Sequence, residues 1–155
     1  MNDFYKLLLE EIVTTIEGLT GEAPRVELRS ELDASDYDAH APLALIKAAI
    51  NGDFSATSAI VVSPQIATLL SDLMIGGEGE SRDDLGEDDL DATKEIVSNI
   101  LGALSTAIGA QKEIPKISFS IEGAEIVEDG FDASGFAKAV RSEEHTSELQ
   151  SRQVI

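Results

Sequence analysis

The chain has 155 residues, near the usual size of one domain and long enough to bury a core of its own. Thirty acidic residues against 11 basic ones leave a formal charge of −19, a field that repels nucleic acid and anionic membrane surfaces and sets both aside as partners. With no Cys and no Trp, disulfides and thiol chemistry are excluded, and the core must be built from Leu, Ile, Val and Ala.

From Asp3 to Leu19, apolar residues at Leu8, Ile12, Ile16 and Leu19 recur at helical spacing, and Gly21 then Pro24 end the pattern. A first helix is expected there. "PRVELRSEL" is bounded by Pro24 and an acidic loop and reads as a strand. "PLALIKAAINGDFSATSAIVVSP" is two extended runs about Asn51-Gly52, a dipeptide suited to a tight hairpin turn with positive φ at both central residues. Ser63 as N-cap with Pro64 after it starts a second helix, which "QIATLLSDLMI" carries to Gly76.

"GGEGESRDDLGEDD" reads as a flexible acidic connector. A long helix follows from Asp88 or Asp89 to Ile108, with carboxylates in its first turn to suit the positive helix end. "PKISFSIEGAEIVED" is extended, with Ile117, Phe119 and Ile121 alternating, and "SGFAKAV" opens a further strand. No basic-then-apolar leader opens the chain, and "ILGALSTAIGA" is too short and broken to span a bilayer, so a soluble cytoplasmic protein is expected.

The order is helix, strand, hairpin, helix, then helix, strand and the start of another strand. "EIVTTIEG" (Glu11 to Gly18) and "EIVSNILG" (Glu95 to Gly102) open the two units as near copies. An α+β fold of two related units is expected, the second incomplete.

The C-terminal "RSEEHTSELQS", Arg141 to Ser151, continues neither the alternation nor any turn signal before it. It resembles the in-frame translation of a sequencing adapter, with "RQVI" as run-on. The domain is therefore expected over residues 1–140, with 141–155 a non-native tail cut into the domain before its end.

On the long helix, Ile96, Val97, Ile100, Leu101, Leu104 and Ile108 form the side that packs on a sheet. The opposite stripe is Glu95, Ser98, Asn99, Gly102, Ser105 and Thr106, which share one face and are mostly small. The first helix repeats it more weakly as Glu11, Thr14, Thr15 and Gly18. On residue types alone this is a solvated or helix-packing face.

"DATKEIVSNILG", Asp91 to Gly102, resembles the signature helix of the CheC, CheX and FliY family of chemotaxis phosphatases: Asp or Ser, then Glu four residues on, then Asn three after that, and a distant Pro. The duplicated helix, the hairpin and the second acidic helix extend the resemblance over nearly all of residues 1–140. It implies a CheC-like pseudo-twofold repeat of long helices packed on a mainly antiparallel sheet.

The resemblance also implies a component of the flagellar motor switch at the cytoplasmic side of the basal body. Its partners would be switch proteins of the FliM, FliN and FliG type, and phosphorylated CheY. The alternative is a free-standing CheC- or CheX-type phosphatase that hydrolyses the CheY aspartyl phosphate. In either case the residues implied are Glu95, Ser98, Asn99 and, in the first unit, Glu11. A carboxamide both donates and accepts, so it can hold a water in line with phosphorus, while the Glu pairs with a basic group of the partner. This chain departs from the pattern at Ser98, which stands where the family has Asn. Its Asn99 lies roughly 100° further round the helix.

No residue set asks for a cofactor or a metal. "DASDYDAH", Asp33 to His40, has no ligand spacing and reads as a solvated loop. "DDLGEDDLD" has too few alternating carboxylates and no properly placed glycine for a calcium loop. "GGEGE" lacks the Lys and preceding strand of a nucleotide loop.

Overall fold

The computed structural model describes residues 2–33, 42–128, 138–145 and 152–154. Within them the chain runs α1 (Asn2–Thr20), β1 (Arg25–Asp33), β2 (Leu43–Gly52), β3 (Ala56–Val62), α2 (Pro64–Met74), α3 (Glu87–Gly109), β4 (Ile117–Val127), β5 (Lys138–His145) and β6 (Arg152–Val154). The fold is α+β, in the element order the sequence implies. "DASDYDAH" lies outside the described residues apart from Asp33, as does the opening of "SGFAKAV".

The six strands form one sheet in the order β1-β5-β6-β3-β2-β4, every pair antiparallel. Among the described strands β2 is flanked by β3 and β4, and its apolar run is buried on both faces. Ala44, Ile46 and Ala48 point to the helices, whereas Leu43 and Leu45 point away and form a separate small cluster with Val61. A continuous "LALI" run, rather than an alternating one, is the sequence mark of such a strand.

The helices cover one face in two adjoining clusters. Ile12, Ile16, Ile66, Leu69, Leu70, Leu73, Leu90, Ile96 and Ile100 meet Ala44 and Val62 in the larger one. Val97, Leu101, Leu104 and Ile108 meet Ile46 and Ala48 in the other, which Phe4 and Leu7 join. The start of α1 thus lies beside the end of α3, and the end of α1 beside the start of α3, so the two run antiparallel. The duplicated octapeptides account for this. Ile12 and Ile16 occupy the positions of Ile96 and Ile100, all four are buried, and all four enter the same cluster. The repeat is a repeat of core positions.

Strand β4 changes phase along its length. Ile117, Phe119 and Ile121 face the helices at odd positions, but Ala124 and Ile126 do so at even ones. The register explains the switch: Lys47 pairs with Gly123 and Ala48 with Ile121, leaving Glu122 as a bulge.

Two local expectations are corrected. The β2–β3 hairpin forms, but Asn51-Gly52 is not a two-residue turn with positive φ at both positions. The last β2–β3 pair is Ile50 with Ala56, no non-glycine residue described has positive φ, and Asn51 and Gly52 continue β2 against Ser118 and Ile117 of β4. Gly52, at φ 137°, is required for a different reason: a Cβ there would sit 2.9 Å from the Ile117 Cα and closer still to the Lys116 carbonyl.

The second correction concerns the α2–α3 connection, which is not a free linker. Asp72 Oδ2 accepts from the N–H groups of Gly79 (2.9 Å) and Glu80 (3.0 Å), and the Arg82 N–H donates to Thr68 Oγ1 at 2.7 Å. Acidic composition suggests mobility only where nothing accepts the backbone donors; here two helix side chains do.

Helix α2 begins as expected, with Ser63 Oγ accepting from the Ile66 N–H at 3.3 Å and Pro64 in the first turn. Strand β5 runs from Lys138 across the expected boundary at Val140 to His145, in register with β1.

Candidate functional site

The buried side of α3 fixes what its other side presents. Ile96, Val97, Ile100, Leu101, Leu104 and Ile108 all turn inward, so Glu95, Ser98, Asn99, Gly102 and Thr106 are left exposed on one surface, with Ser105 half-buried beside them. Asp91 is exposed one turn before Glu95. Relative to Glu95, Ser98 and Asn99 lie to either side of the line along the helix, within about 60° of it. The three share one row.

Their hydrogen bonds differ. Asn99 Nδ2 donates to the Glu95 carbonyl at 2.8 Å, which ties the carboxamide back along the helix and uses one of its N–H groups. A second N–H and the oxygen belong to the same amide, so the group keeps the donor and acceptor pair that holding a water requires. Further along, Ser105 Oγ donates to the Leu101 carbonyl at 2.9 Å and accepts from the Phe119 N–H at 3.3 Å. Ser105 is therefore a junction between α3 and β4, and the usable face ends near Gly102. A Cβ on Gly102 would meet nothing within 4 Å, which fits an open surface.

Glu11 is brought to none of these. It is half-buried on α1, and Thr14, Thr15 and Gly18 follow it with no amide. Because α1 runs against α3, the first-unit stripe is a second, weaker surface and not an extension of the first.

The sequence reading missed the polar cluster that holds the start of α3. Arg82 Nη2 donates to Asp89 Oδ1 and Oδ2 at 2.8 and 2.9 Å, and Asp89 Oδ2 also accepts from the Gly86 N–H at 2.9 Å. Asp89 is only 3% exposed. It is the third residue of a helix that begins after Gly86, so it reaches back over the helix start and satisfies a donor left open there. The legible signal was an acid three residues after a glycine at a helix start, hidden among five neighbouring carboxylates. Asp72 was missed in the same way. Its carboxyl is held below the usual carboxylate range by the Glu80 and Gly79 N–H groups, with the Arg82 charge adding to them against partial desolvation.

Among the described residues no group of three or more His, Asp or Glu side chains converges on a metal-sized site, and no helix is long and apolar enough to cross a membrane.

No protein-family profile matches the chain. A stretch of 68 residues is 34% identical to the flagellar motor switch phosphatase FliY of Bacillus subtilis, covering 43% of this chain and 18% of that protein. The chain thus spans less than a fifth of that relative. In backbone it superposes on the FliY of Thermotoga maritima with a TM-score of 0.80, at 19% identity, over 99% of this chain and 86% of that one. The fold is CheC-like. It is shared with a chain of the FliG–FliM complex of H. pylori (TM-score 0.77, 11% identity, 98% and 87% of the two chains). The same holds for CheX of Desulfovibrio desulfuricans (TM-score 0.65, 15% identity, 98% and 96%). In the CheC-like frame, α1 and α3 are the paired long helices, and the Glu95 row lies on the exposed side of the second.

Proposed function

We propose that this chain is the CheC-like domain of a flagellar motor switch protein and works first as a binding module of the rotor. Switch proteins of the FliM, FliN and FliG type are its partners, and its place is the cytoplasmic face of the basal body. The observation that carries this reading is the stretch 34% identical to a flagellar motor switch protein, set in a backbone that follows FliY over 99% of the chain. The strong acidity and the absence of a membrane-crossing helix among the described residues agree with a role among proteins. Deletion of the source gene should abolish swimming or fix its direction; unaltered swimming and switching would count against the proposal.

The native domain on this reading covers residues 1–140, and Arg141–Ile155 is not part of it. The uninterrupted reading frame in the source DNA tests this: a different sequence after Val140 is expected, and the same fifteen residues there would overturn it.

The second reading, hydrolysis of the CheY aspartyl phosphate, is favoured by one observation: Glu95, Ser98 and Asn99 are all exposed in one row. Glu95 pairs with a basic group of the phosphorylated partner, and a polar side chain beside it holds the attacking water in line with phosphorus. Ser98 stands at the position the family gives to Asn and reaches less far, while Asn99 has the right chemistry about 100° away. The reading therefore makes hydrolysis slow. The same chemistry serves a free-standing CheC- or CheX-type phosphatase or a rotor subunit.

A further inference from the structure

Arg82 is bonded to α2 by its main chain and to α3 by its side chain. Its N–H donates to Thr68 Oγ1 (2.7 Å), and its guanidinium grips both oxygens of Asp89. Thr68 is itself set by donation to the Pro64 carbonyl at 2.7 Å and is 1% exposed. We propose that residues 77–86 are a strap that opens and closes over α2 as one unit, with Arg82 as its latch.

The strap contains no helix or strand of its own. What holds it is borrowed from its neighbours: Asp72 takes the N–H groups of Gly79 and Glu80, Thr68 takes that of Arg82, and Asp89 takes that of Gly86. The Gly77 N–H adds a bond to the Asp72 carbonyl at 2.9 Å. Such a segment sits at the low end of local stability, because few apolar contacts oppose its release. Leu85 is its one large apolar side chain against the main cluster.

Both ends can turn. Gly76 and Gly79 have φ of 86° and 90°, and Gly86 marks the other end before α3. Hinges of this kind absorb backbone rotation at little cost.

The two halves are coupled through charge. The Arg82 side chain is 51% exposed while that of Asp89 is 5% exposed, so water reaches the pair from the arginine side only. If Arg82 leaves, Asp89 keeps a buried carboxylate with only the Gly86 N–H, a costly state. The relief available is for the first turn of α3 and the strap to move out together. The Arg82–Asp84 contact at 3.5 Å is between exposed groups and adds little to the latch. Opening uncovers Thr68, Leu85 and Leu90 and loosens α3 in the turns just before Glu95, so the state of the strap bears on the exposed row.

Native-state hydrogen exchange on the full chain tests this. The N–H groups of Gly79, Glu80, Arg82 and Gly86 should share one opening free energy and one denaturant dependence, both below those of the central β2 amides around Ile46. Arg82→Met, which keeps the aliphatic stem, should speed all four roughly 100-fold while the β2 amides keep their rates. Four separate isotherms in the unaltered chain, or four that merge with global unfolding, would overturn the proposal. So would a variant in which only Gly86 is affected, none is, or the β2 amides accelerate equally.

Discussion

Asp53 and Lys116 hold each other twice: the Asp53 N–H donates to the Lys116 carbonyl, and the Lys116 N–H donates to Asp53 Oδ2, both at 2.8 Å. The tip of the β2–β3 hairpin is thereby fixed to the entry of β4. From the same place Lys116 Nζ reaches the Ile108 carbonyl at 3.0 Å and supplies the positive charge that the end of α3 lacks among its own residues. Asp53→Ala should cost about 1 kcal/mol, the net worth of one exposed hydrogen bond. Gly52→Ala should cost more, because the new Cβ meets the Lys116 carbonyl and the φ of 137° is unfavourable to it. Urea midpoints decide; an unshifted midpoint for Gly52→Ala would remove the close-approach argument.

The shared core makes a quantitative demand on the repeat. Ile16 and Ile96 are each 1% exposed and belong to one cluster, so Ile16→Ala and Ile96→Ala should each destabilise by about 2–5 kcal/mol. Equilibrium unfolding of both variants reads this directly. If either change were neutral, the two octapeptides would not be equivalent in the core.

Asp72 gives a pH dependence with a definite sign. Its carboxyl is held below its ordinary value of 3.8, so its stabilising contribution is fully present above about that pH and is lost as the pH falls through the lower folded value. Asp72→Asn should therefore lower stability at neutral pH and narrow its difference from the unaltered chain under strong acid. Gly77→Ala should act similarly, since its Cβ would press into the Asp72 carboxylate. Denaturant titrations from neutral pH downward, compared between Asp72→Asn and the unaltered chain, check it; a difference that stays constant with pH would contradict the assignment.

On the α3 face, Glu95→Ala should slow loss of the CheY phosphoryl group, whereas Ser98→Asn, which returns the carboxamide to the position three residues after Glu95, should speed it by about tenfold or more. The lifetime of radiolabelled phosphoryl-CheY measures both. If neither change alters that lifetime while the chain stays folded, hydrolysis at this face is ruled out.

Much of this was legible in the sequence because the signals were periodic. The 3.6-residue rows of α1 and α3, the Ser63-Pro64 start of α2 and the alternation of Ile117, Phe119 and Ile121 each follow from one local rule, and the elements formed where those rules place them. The Glu95 row was legible as the complement of an apolar face. What escaped was set by contacts distant in sequence. Gly52 is dictated by Lys116, the phase change in β4 by pairing around Lys47, and the order of the acidic connector by Thr68 and Asp72. A stretch such as "GGEGESRDDLGEDD" looks free until its acceptors are known, and two of them lie on helices outside it.

The central claim, that this is a binding module of the flagellar switch, is tested most directly by mixing the purified chain with purified FliM-, FliN- and FliG-type proteins of the same source and measuring association by analytical ultracentrifugation. The account predicts a complex with at least one of them that persists at moderate salt. A folded chain that sediments alone in every mixture would contradict it.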